Sequence, residues 1–62
     1  DGKRLTHLLM EMYAFGDNPT KVEGLYAEFS ELLLKNNYSN QFYMTDEGMD
    51  LLNYLRDLGI VR

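Results

Sequence analysis

Apolar residues recur along the chain at a helical period in three stretches, and a turn signal closes each one. In the first, Leu5, Leu8, Leu9, Met12 and Phe15 share one side of a helix predicted over residues 3–15, with Tyr13 at its edge and His7, Glu11 and Ala14 facing away. Gly16 stops this helix, and Asp17-Asn18-Pro19 prevents its continuation. The second is predicted to start at Thr20, because Thr20-Lys21-Val22-Glu23 has the capping-box pattern, in which hydroxyl and carboxylate each satisfy an amide of the first turn. Val22, Leu25, Tyr26, Phe29, Leu32 and Leu33 line its apolar face, and Lys21, Gly24, Glu28, Glu31 and Lys35 the opposite one. Asn36-Asn37 ends it, since Asn tolerates the left-handed conformation. The third takes Thr45 as N-cap, Asp46 and Glu47 against the helix dipole, and Leu51, Leu52, Leu55 and Leu58 as its stripe. Gly59 caps its C-terminus, and Ile60 supplies the apolar contact that follows such a cap.

Residues 38–44 between the second and third helices read as a loop, either a short extended piece or the tail of a longer second helix. Two glycines fall inside helices, where each costs about 1 kcal/mol relative to Ala. Gly48 lies on the apolar side and is placed to let two helices approach closely; the sequence gives no reason for Gly24. The expected fold is all-α, one small domain of three helices over residues 1–62, arranged as an orthogonal bundle or in a histone-like manner.

Composition narrows the function more than the fold. The net charge is −4, and Lys3, Arg4, Lys21, Lys35, Arg56 and Arg62 are scattered. Phosphate-backbone binding needs clustered cations, so the chain is not expected to bind nucleic acid without a partner. There is no cysteine and one histidine, which removes disulfides and Cys- or His-rich metal sites. No apolar run approaches the roughly 20 residues of a membrane span. A core of this size supplies no more than about 3–5 kcal/mol, so the fold must depend on packing alone or on a partner's surface. The abrupt start at Asp1 leaves open that the chain is a piece of a longer one.

Chemistry finds no foothold in this pattern. Asp46, Glu47 and Asp50 form the densest acidic cluster, but no calcium-loop register surrounds them, and they read as charges at a helix start. His7 stands off the apolar face, with no nucleophile in a known signature, and reads as a surface histidine. No P-loop, G-x-G-x-x-G or G-x-S-x-G occurs. The chain is therefore expected to be non-enzymatic, to use no cofactor or metal, and to act inside the cell. Surplus apolar residues need a different explanation. Met10 and Leu34 point away from their helices' core sides, Met49 sits among Asp46, Asp50, Asn53 and Arg56, and Tyr38, Phe42, Tyr43, Met44 and Tyr54 add soft and aromatic surface. Either the core wraps more of each helix than the faces suggest, or these residues form a surface for a protein partner or for self-association. The residues singled out for such contacts are Met10, Leu34, Met49 and Tyr54.

Two short stretches resemble known families. Met12-Tyr13-Ala14-Phe15-Gly16-Asp17, followed by Asn18-Pro19, resembles the end of the first helix and the loop of the small histone-fold subunit of the general transcription factor TFIID. That resemblance implies handshake pairing with another histone-fold protein in a nuclear transcription assembly. The loop after Asp17 is shorter than in that family, and the second helix meets Asn36-Asn37 early. Residues 49–62 look like a winged-helix recognition helix entering a first wing strand, Ile60-Val61-Arg62, which implies a helix-turn-helix domain on nucleic acid as the alternative. Asp46, Glu47, Asp50 and Asp57 on that helix would repel phosphates.

Overall fold

The computed structural model describes residues 2–61 and folds them into four helices, with no strand among the described residues: α1 (Gly2–Ala14), α2 (Pro19–Lys35), α3 (Ser39–Tyr43) and α4 (Asp46–Asp57). The expected all-α class is what forms. The loop expected over residues 38–44 is instead the fourth, short helix α3, so the domain has one helix more than the three apolar stripes announce. Five residues are too few to display a helical stripe, and α3 shows only Phe42 to the core. No strand forms at Ile60-Val61 either, and Arg62 lies outside the described residues.

The start of α2 departs from the capping box. Asn18, not Thr20, is the N-cap: its side-chain oxygen accepts from the Lys21 amide at 3.3 Å, and Pro19 takes the first helical position. Proline suits that place because its fixed φ is already helical and its missing N–H would be unpaired there anyway. Thr45 caps α4 as expected, accepting from the Gly48 amide at 3.2 Å while its hydroxyl donates back to the Phe42 carbonyl at 2.6 Å. One hydroxyl thus ties the end of α3 to the start of α4.

The C-termini of α2 and α4 close alike. Asn37 sits at φ 52 and Gly59 at φ 81, both left-handed. The Tyr38 amide donates to the Leu33 carbonyl and that of Asn37 to Leu34; the Ile60 amide donates to Leu55 and that of Gly59 to Arg56. These are paired 6→1 and 5→2 bonds, which satisfy carbonyls the helix leaves open. Gly16 does not end α1 this way, since Gly59 is the one described glycine at positive φ. A Cβ on Gly16 would come within 3.0 Å of the Tyr54 hydroxyl, so its use is close approach to α4.

Leu8 and Met12 of α1, Val22, Phe29 and Leu33 of α2, Phe42 of α3, and Leu51 and Leu55 of α4 are buried together. All but Phe42 lie on the stripes read from the sequence. Phe42 meets Phe29 edge-on, ring centres 5.2 Å apart at 70°, and this contact fastens α3 to α2. The exposed Arg4–Glu28 ion pair bridges α1 and α2 and adds little in water.

Gly48 is where the fold has no slack. A Cβ there would lie 2.0 Å from the Phe42 carbonyl oxygen and 2.8 Å from the Tyr43 Cα, both backbone atoms. Gly24, on the solvent side of α2, has nothing within 4 Å. Alanine should therefore act oppositely at the two sites. Gly24→Ala is expected to stabilise by about 1 kcal/mol through helix propensity, and Gly48→Ala to destabilise by roughly 1–3 kcal/mol or more by forcing α3 off α4. Urea melts of the two variants check both signs.

Candidate docking surface

The stripe on α1 is longer than the elements that cover it. Leu8 and Met12 are sealed, but Leu5 and Leu9 are only partly buried. Together with Phe29 and Leu33 of α2, Tyr38, and Phe42 of α3 they line a groove of about 410 Å³, whose polar members are Thr6, Asn36 and Glu47. Phe29, Leu33 and Phe42 are themselves almost wholly buried, so the accessible apolar surface of the groove comes from Leu5, Leu9 and Tyr38.

The four residues singled out from the sequence do not line this groove. Met10 stands 66% exposed on α1 beside a shallow depression formed with Lys3, Thr6 and His7. Leu34 is 65% exposed on α2, and Met49 half-exposed on α4. Tyr54 was chosen because its burial lacked an intramolecular explanation, and the structure supplies one. Its ring is partly buried 4.6 Å from that of Tyr13, and its hydroxyl donates to the Met12 carbonyl in the last turn of α1, where carbonyls run out of helical partners. Phe42 and Tyr43 are likewise drawn inward, whereas Tyr38 and Met44 remain exposed. Of the groove residues, Leu5, Leu9, Phe29 and Leu33 read in the sequence as ordinary core. Only Tyr38 and Phe42 stood out there as surplus surface.

His7 is exposed and lies 3.1 Å from Glu11, one turn along α1. Among the described residues no three His, Cys, Asp or Glu side chains come together as metal ligands would. Among the described residues no helix is long and apolar enough to cross a membrane. Three tyrosines have hydroxyls pushed above their ordinary pKa of 10.0: Tyr43 most, by burial and then by the neighbouring Tyr26; Tyr54 by burial and Asp17; Tyr13 by burial, then Asp50, Tyr54 and Glu47. The Tyr43 hydroxyl is buried with no hydrogen bond of good geometry.

No family model, curated protein or solved structure matches the chain.

These raised values set the sign of an alkaline instability. The unfolded chain gives up its tyrosine protons near pH 10, and the folded one holds them to higher pH. Stability attributable to these groups is complete below pH 10 and is lost as the pH climbs above it. Tyr43→Phe keeps the ring and removes the unpaired hydroxyl. It should leave neutral-pH stability within about 1 kcal/mol of the parent, or above it, and move the alkaline unfolding midpoint upward in a circular-dichroism titration.

Proposed function

We propose that the domain is a non-catalytic protein–protein interaction module and that the groove between α1, α2 and α3 is its docking surface. The observation behind this reading is a groove of about 410 Å³ in which Leu5, Leu9 and Tyr38 stay partly exposed beside the sealed Phe29, Leu33 and Phe42. The sequence shows no catalytic signature, and a domain this small exposes Met10, Leu34, Met44 and Met49 besides. Flexible, polarizable methionines suit adaptable contact surfaces.

Docking of a partner by a closed domain fits the geometry better than histone-type pairing. A handshake needs a core completed between two chains, and here α2 stops at 17 residues and packs its buried face within one chain. The helix-turn-helix alternative is weakened by the exposed side of α4, where Asp46, Glu47, Asp50 and Asp57 outnumber Arg56.

Cross-linking in the source cell tests the reading. A benzophenone side chain installed at Tyr38, in the groove, should give one discrete protein adduct, and the same group at Glu23, on the exposed side of α2, none. Identical adducts from both positions, or none from Tyr38, overturn it.

A further inference from the structure

We draw no further inference here: the strongest candidate, the stripe of partly buried Leu5 and Leu9 and exposed Tyr13 along α1 beside the groove, is an unpartnered apolar face, and nothing in the structure shows what covers it.

Discussion

The absence of a side chain at Gly48 lets α4 lie directly against the backbone of α3, and the rest of the architecture depends on that contact. With the two backbones this close, the Thr45 hydroxyl reaches both the Phe42 carbonyl and the Gly48 amide. Phe42 is thereby turned toward Phe29, and α3 becomes a wall of the domain instead of a loose connection. The helix-propensity cost of glycine, about 1 kcal/mol, is set against the burial of an aromatic ring and the closure of a core that has no disulfide to support it.

The same contact shapes the groove. Phe42 is packed from one side by Phe29 and Tyr43, and its other surroundings include Tyr38 and the groove. Because α3 is only five residues long, it covers Leu33 and Phe29 without extending over Leu5 and Leu9. The concavity is therefore a direct product of one short helix facing a longer one. A longer α3 would shield more of the α1 stripe, and an unstructured connection would leave Phe42 without a fixed position.

The long helices were legible because periodicity is a property of a dozen residues at a time. Leu8, Met12, Val22, Phe29, Leu33, Leu51 and Leu55 each fall on the stripe that buries them. Thr45 and Gly59 were legible as boundaries because their chemistry is local. Where two local signals competed, the sequence was ambiguous: Thr20 with Glu23 is a complete capping box, yet Asn18 followed by Pro19 is an equally good start two residues earlier, and proline's fixed φ decides between them. α3 escaped notice because a single turn has no period. Tyr54 misled for a related reason. Its partner, the Met12 carbonyl, lies 42 residues away, and no local pattern reveals an aromatic hydroxyl reaching a distant helix end.

The groove belongs to the same class of illegible feature, and this bears on how surplus apolar residues are interpreted. A leucine on a core stripe and a leucine on a docking surface have the same sequence signature when the stripe simply outruns its cover. Leu5 and Leu9 pack against the core but are only partly buried, whereas Leu8 and Met12 are sealed. Residues that break the pattern, such as Met10 and Leu34, draw attention because they stand exposed off the core stripes. Those that keep the pattern are held rigid by the core behind them, so a partner that contacts them meets preorganised surface and loses less entropy on binding. If recognition is built on this domain as proposed, it uses the part of the core stripe that α3 leaves uncovered.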